Sequence, residues 1–341
     1  MDEETALVLG VQLLALCCIA CSLVLYLLRK MSRKAVYSAP ALRSVLVTSC
    51  ETSVGLQLCD RLAAVGFRVF AGYKPDGRSD AADSISDCAS PSRVAPSGGA
   101  CALLRLRAKQ RESAASDAER APGGVVFVPL DVTREDSLHE AVVTIKRHLP
   151  AGEDGLWAVI STADVCLKGR IEMQESAQWE ILFKTNVFGT LKAARTFYPL
   201  LVSQKGRLIN FGTSKGHPRR QGMTAFDSAR HAVAGASMSL REDLRDLDVH
   251  VIVVNTNHIQ PENLFEPIRS SGNANEQNNN MLNEKYPRPS LPEYAVHTIL
   301  DALLEPHPKP VYAFEKPSRF TCNSFSKKTL SSERNVGHQY I

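Results

Sequence analysis

Short β-branched runs alternate along this chain with longer amphipathic segments, and that rhythm points to an α/β fold built on a doubly wound parallel sheet. Ser44–Thr48 reads as the first strand, Leu56–Val65 as the helix behind it and Arg68–Gly72 as the second strand. The pattern resumes with strand Val125–Leu130 and helix Ser137–His148, then strand Leu156–Ile160 and one long helix over Ala177–Leu201. Strand Arg207–Phe211, helix Ala225–Leu247 and strand His250–Val254 follow, and helix Pro292–Leu304 with strand Pro310–Ala313 closes the domain. Between the second and third strands, Pro75–Gly124 is rich in Ser, Ala, Arg, Gly and Pro. A helix is expected there at Cys101–Gln110, and a flexible insertion at about 78–100. The Asn-rich stretch Asn263–Pro287 reads as a mobile loop, and the polar tail beyond Glu315 as poorly ordered.

Ahead of this domain, Ala6–Leu28 forms a 23-residue, mostly apolar stretch. At ~1.5 Å per helical residue it is long enough for a hydrocarbon layer of about 30 Å. Asp2, Glu3 and Glu4 precede it, and Arg29, Lys30, Arg33 and Lys34 follow it. That asymmetry predicts one transmembrane helix with the folded domain on the cytoplasmic side, the endoplasmic reticulum being the expected membrane. A cleaved signal peptide normally carries the opposite charge order and a shorter apolar core. The absence of any N-x-[ST] sequon agrees with a cytosolic domain. The organisation expected is an anchor over 1–34, one α/β domain over 35–315 and a polar tail over 316–341. The net charge of +4 is mild and shows no basic face or nucleic-acid module. The nine cysteines have no framework spacing. Cys18 and Cys21 form C-x-x-C inside the apolar stretch, where a lipid-facing reading outweighs a redox or metal role, and no metal site is expected.

Five segments, in order and in register, resemble the retinol and hydroxysteroid dehydrogenase branch of the short-chain dehydrogenase/reductase family, to which D-β-hydroxybutyrate dehydrogenases are also similar. They include Gly66-Phe67-Arg68-Val69-Phe70-Ala71-Gly72, Leu130-Asp131-Val132-Thr133, Gly155-Leu156-Trp157 and Asn186-Val187-Phe188-Gly189-Thr190. The resemblance runs from about Leu42 to Ala313 and implies a Rossmann-like fold with NAD or NADP as cofactor. The family's glycine-rich turn T-G-x-x-x-G-x-G reads here Thr48-Ser49-Cys50-Glu51-Thr52-Ser53-Val54-Gly55, with Ser49 and Ser53 where glycines let the backbone approach a pyrophosphate. Asp131 and Val132 match the adenine-pocket pair, although a strand-ending Asp that caps a turn is an equal reading of the residues alone. Tyr73-Lys74 ends the second strand where an acidic residue would hold a ribose hydroxyl, so the choice between NAD and NADP stays open. The N-N-A-G motif becomes Ser161-Thr162-Ala163-Asp164, which sets a carboxylate close to where a cofactor would lie. Together Thr48, Ser49, Ser53, Gly55, Asp131, Val132, Ser161 and Ala163 are the candidate cofactor-binding residues.

The same resemblance implies a catalytic group of Asn, Ser, Tyr and Lys, with Tyr as general acid/base and Lys lowering its pKa. Its positions here are Asn186, Thr213, Phe226 and Arg230. Phe226 and Arg230 share one helix face, and phenylalanine has no proton to give. The strand-end P-G becomes Thr256-Asn257, and Lys215 and His217 are the nearest replacements for a proton donor. Two functions follow. One is a pseudoenzyme that binds or regulates at a membrane surface. The other is a working NAD(P)-dependent oxidoreductase on an apolar alcohol or ketone such as a steroid or retinoid, as in steroid-hormone synthesis. The expected partners are the membrane, an apolar small molecule and a second copy paired through the two long helices, with no nucleic acid.

Overall fold

The computed structural model describes residues 12–24, 43–75, 124–213, 221–256, 259, 264–265 and 291–315. The expected insertion at 78–100, helix Cys101–Gln110, most of loop 263–287 and the tail from 316 lie outside them, as do Lys215, His217 and Asn257. The chain divides into two units. Of the first, residues 12–24 form a helix whose Leu13, Leu14, Leu16, Ile19 and Leu23 are exposed. No helix among the described residues is long and apolar enough to cross a membrane. The apolar stretch 6–28 continues past the described helix at both ends.

The second unit is Rossmann-like. Its strands are β1 (Ser44–Val47), β2 (Arg68–Tyr73), β3 (Val125–Pro129), β4 (Ala158–Ser161), β5 (Arg207–Gly212), β6 (His250–Asn255) and β7 (Val311–Ala313). All pair in parallel, in the order β3-β2-β1-β4-β5-β6-β7. The inner strands β1, β4 and β5 are buried at every residue, which is why they are mainly apolar without strict alternation. Pro129, which lacks a donor, ends the edge strand β3. The chain moves outward from β1 to β3 and then returns to the other side of β1 as β4. The carboxyl ends of β1 and β4 therefore flank the topological switch point, the place where open α/β sheets hold ligands.

Helix α1 (Ser53–Val65) begins at Thr52, whose Oγ1 accepts from the Gly55 N–H, and ends at Gly66 in the left-handed region at φ 108°. The Gly66 and Phe67 N–H groups return to the Ala63 and Leu62 carbonyls. Helix α2 is Glu135–His148. The single helix expected over Ala177–Leu201 is interrupted. It consists of α3 (Ser176–Phe183), a wide π-turn over Lys184–Gly189 and α4 (Thr190–Val202). Within this turn the Asn186 side chain is held by both backbone groups of Val165. Helix α5 (Thr224–Asp243) is followed by a 3-10 turn over Arg245–Leu247, so the helical path ends at the expected Leu247, where Asp248 adopts φ 56° and the Val249 N–H turns back to the Leu244 carbonyl. Helix α6 is Glu293–Leu304.

A clamp at the amino end of the sheet fixes α6. The Trp157 Nε1–H donates to the Leu303 carbonyl at 3.0 Å, and Arg207 Nη1 donates to the Ala302 carbonyl at 2.8 Å. These are carbonyls of the last helical turn, which have no partner within the helix. The Arg207 guanidinium also lies 4.6 Å from the Trp157 ring centroid.

Close approach of α4 to the loop before β4 depends on Gly155. A Cβ there would fall 2.1 Å from the Leu200 carbonyl and 2.1 Å from Ser203 Oγ. One of these is backbone, so the helix itself would have to move. Gly155→Ala should lower stability by about 1–3 kcal/mol, the usual range for an overpacked core, measured by denaturant unfolding of the α/β unit. Gly152→Ala, where nothing lies within 4 Å but φ is 91°, separates steric crowding from backbone strain.

Candidate active site

The candidate catalytic and cofactor-binding residues are all described, Lys215 and His217 excepted, and they lie at or just past the carboxyl ends of β1, β3, β4 and β5 and on the helices beside them. Thr48 ends β1 and ties it to the loop after β4: its Oγ1 accepts from the Thr162 N–H at 2.9 Å and the Ala163 N–H at 3.2 Å. Thr162, which the motif pattern does not single out, is the other half of this junction. Its Oγ1 accepts from the Ser49 N–H and donates to the Ser49 carbonyl, both at 2.9 Å. Cys50 N–H is taken by the Gly72 carbonyl at 2.7 Å. The turn is thus knitted into the protein, and Ser49 and Ser53 are buried within it. Gly55 is kept for a packing reason, since a Cβ there would sit 1.7 Å from the Ser49 carbonyl.

At the adenine end, Asp131 accepts from the Thr133 N–H and hydroxyl and pairs with Lys74 Nζ at 3.1 Å. Burial alone would raise the Asp131 carboxyl, but the bonds from Thr133 and Lys74 outweigh it and hold the group below the ordinary carboxylate value. Val132 packs on Gly189, where a Cβ would come within 2.7 Å of its Cγ2. Ser161 points into the structure. Its Oγ donates to Asn210 Oδ1 at 2.9 Å, and Asn210 Nδ2 donates to Ser237 Oγ at 3.0 Å, joining β4, β5 and α5.

The four positions of the catalytic group converge. Asn186 sits in the π-turn with its amide engaged: Oδ1 accepts from the Val165 N–H at 2.8 Å and Nδ2 donates to the Val165 carbonyl at 2.9 Å. Wide turns of this kind recur at functional sites, yet no hydrophobic period in the sequence marks this one. Thr213 is buried at the end of β5, its N–H donating to the Arg230 carbonyl at 3.2 Å. Phe226 is 1% exposed and packs on Phe265, the ring centroids 6.3 Å apart.

Arg230 is the centre of the site. Its side chain is 1% exposed, and its Nη1 pairs with Asp164 Oδ2 at 2.9 Å, the Asp164 side chain being 7% exposed. Nη2 donates to Thr256 Oγ1 at 3.2 Å. The guanidinium lies 5.1 Å from the Phe265 ring, 5.5 Å from Phe226 and 5.9 Å from Phe211. Sequence reasoning identifies Asp164, Arg230 and Thr256 separately but does not join them. They come from the ends of β4 and β6 and the middle of α5, and only the folded sheet sets them side by side. Asp164 Oδ1 is buried with no hydrogen-bond partner among the described residues. Burial pushes the Asp164 carboxyl up to about 6, against the pull of Arg230, and lowers Arg230 in turn.

A profile of the family described as short chain dehydrogenase matches residues 88–270, more than half of the chain. The mitochondrial D-beta-hydroxybutyrate dehydrogenase of Mus musculus is 25% identical over 228 residues, covering 67% of this chain and 57% of that protein. The 17-beta-hydroxysteroid dehydrogenase type 2 of Homo sapiens is 27% identical over 210 residues, covering 61% and 45%. The chain thus spans about half the length of the curated relatives it matches. Among solved structures, a short-chain dehydrogenase from Streptomyces avermitilis shares the fold with a TM-score of 0.54 and 15% identity, over 80% of this chain and 88% of that one.

Removing one partner of a buried pair leaves an uncompensated charge. Arg230→Met should therefore destabilise by about 3–5 kcal/mol, whereas Asp164→Leu with Arg230→Met should recover most of that loss; chemical denaturation of both variants checks this. The pH dependence has a defined sign. Because the folded Asp164 carboxyl lies at about 6, above its ordinary 3.8, its contribution is full below 3.8 and is lost as pH rises through 6. The stability of Asp164→Asn relative to the natural chain should rise between those values and level off above them, read from melting temperatures across pH 3.5–7.

Proposed function

Because this chain belongs to the short chain dehydrogenase family, we propose that it is a membrane-anchored member whose site has lost hydride transfer and serves as a binding or regulatory module. The observation that carries this reading is the state of Phe226 and Arg230. The position of the general acid holds a buried phenyl ring, and the position of its cationic neighbour holds a guanidinium committed to Asp164 and Thr256. General acid/base catalysis, about 10²–10⁴ in rate, has no agent at that position.

Family membership implies NAD or NADP, and the residues present do not fit it. Asp164 would set a buried carboxylate, one oxygen already without a donor, beside a polyanion. Ser49 and Ser53 narrow the approach of a pyrophosphate to the start of α1. At the other end Lys74 is paired with Asp131. The apolar stretch 6–28 and the exposed leucines of helix 12–24 support attachment to a membrane. In this reading the chain passes once through the endoplasmic reticulum membrane with its α/β unit facing the cytoplasm, and it takes an apolar small molecule. A homodimer through α4 and α5 belongs to the same proposal, supported by exposed Tyr198 and Met238 on those helices.

The second reading is an active oxidoreductase on a steroid, retinoid or other apolar alcohol or ketone. It is favoured by the relatives named as hydroxysteroid and hydroxybutyrate dehydrogenases and by the hydroxyl that Thr213 retains. It requires another proton donor, Thr213 with water or His217.

The deciding assay follows nicotinamide absorbance for the full chain in detergent, with steroids, retinoids and 3-hydroxybutyrate, at millimolar NAD(H) and NADP(H). No turnover above buffer is expected. Robust turnover by the natural chain, abolished by His217→Ala, would establish the second reading in its place.

A further inference from the structure

We infer that Asp164 and Arg230 form one built-in plug, an internal ion pair that closes the end of the site beside β4 and β6 to dinucleotides. This rests on the reading above and goes beyond it, since loss of turnover by itself does not require loss of cofactor binding. The two residues are 66 positions apart and reach each other from the end of β4 and the middle of α5. Neither suits the site alone. A lone Asp164 would be a buried carboxylate with no cation, and a lone Arg230 a buried guanidinium among three aromatic rings. Together they neutralise each other, and Thr256, just after β6, fixes the second arm of the guanidinium at 3.2 Å. Three positions that depart from the family pattern thus behave as a single coupled change.

The plug works by occupation and by charge. Both side chains are more than nine-tenths buried, so a cofactor could enter only by displacing them. Displacement would leave each charge without its partner in a place that water does not reach, the costly way to break a buried pair. The ligand offered in exchange is itself anionic and would meet the Asp164 carboxylate. Pairing inside the protein is therefore favoured over any contact that a dinucleotide could make with Arg230.

The serine-substituted turn is an independent obstacle, so the test removes it first. NADH and NADPH binding is measured by calorimetry and ligand fluorescence on the full chain in detergent, with melting temperature as the check on folding. Four proteins are compared: the natural chain, Ser49→Gly/Ser53→Gly, Asp164→Gly/Arg230→Lys, and the combination of all four changes. Phe226 is retained throughout, so that the four proteins differ only in the turn and the pair, and turnover by the natural chain is recorded beside binding. The combined variant should bind about tenfold or more tightly than Ser49→Gly/Ser53→Gly, and the natural chain should not bind at millimolar cofactor. Equal binding with and without the pair, or no binding by the folded combined variant, overturns the plug while leaving the pseudoenzyme reading in place. Binding by the natural chain without turnover does the same. Binding with turnover by the natural chain removes both.

Discussion

A parallel sheet buried on both faces can present chemistry only at the ends of its strands, and this constraint governs the rest of the molecule. β1, β4 and β5 are buried at every residue, so none of their side chains can reach a ligand from within the ladder. What remains are the carboxyl ends at the switch between β1 and β4, with β5 and β6 alongside. Thr48, Asp164, Thr213 and Thr256 all stand at such ends. Their neighbourhood is set by parallel pairing, for instance Gly212 opposite Asn255 and Ser161 opposite Asn210. Packing of the strands and composition of the site are therefore separable, and this chain keeps the first while altering the second.

The glycines make that separation concrete. Gly55, Gly72, Gly155 and Gly189 remain, and at each an added Cβ would come within 3 Å of another atom of the fold. Serine or aspartate stands at 49, 53 and 164, where the family pattern has glycine and where the requirement comes from a ligand. Glycines that the fold needs are present, and glycines that a phosphate or a cofactor ring needs are absent. This is the distribution that the proposed loss of dinucleotide binding would produce.

Much of the architecture was legible because apolar runs and amphipathic segments report burial directly, and a parallel sheet buries its strands so completely that little else could produce the pattern. The interruption between α3 and α4 was not legible. It coincides with a side-chain contact between Asn186 and the backbone of Val165, 21 residues away, and leaves no trace in the hydrophobic period. The change from α to 3-10 geometry between Asp243 and Leu247 likewise leaves no trace there. At the site, each substituted position could be read against the family pattern, but the pairing of Asp164 with Arg230 could not. The sequence presents an unexpected acid and an unexpected base far apart, and only the order of the strands makes them neighbours.

Asn186 survives at its position of the catalytic group, and Thr213 keeps a hydroxyl where the pattern has serine; both also tie elements of the site together. Asn186 spends its amide on Val165, which fixes the loop after β4 against the π-turn, and its own carbonyl accepts from Thr190 Oγ1 at 2.7 Å. Thr213 gives its N–H to the Arg230 carbonyl and so joins the end of β5 to α5. These two residues therefore hold together the elements on which Asp164 and Arg230 are mounted. Phe226 and Arg230 occupy positions whose family roles need a phenol and an amine rather than a shape, and there the chemistry has changed. The side chain of Asn186 thus has a structural duty of its own, whereas the bond at Thr213 is a backbone one and leaves its hydroxyl outside that account.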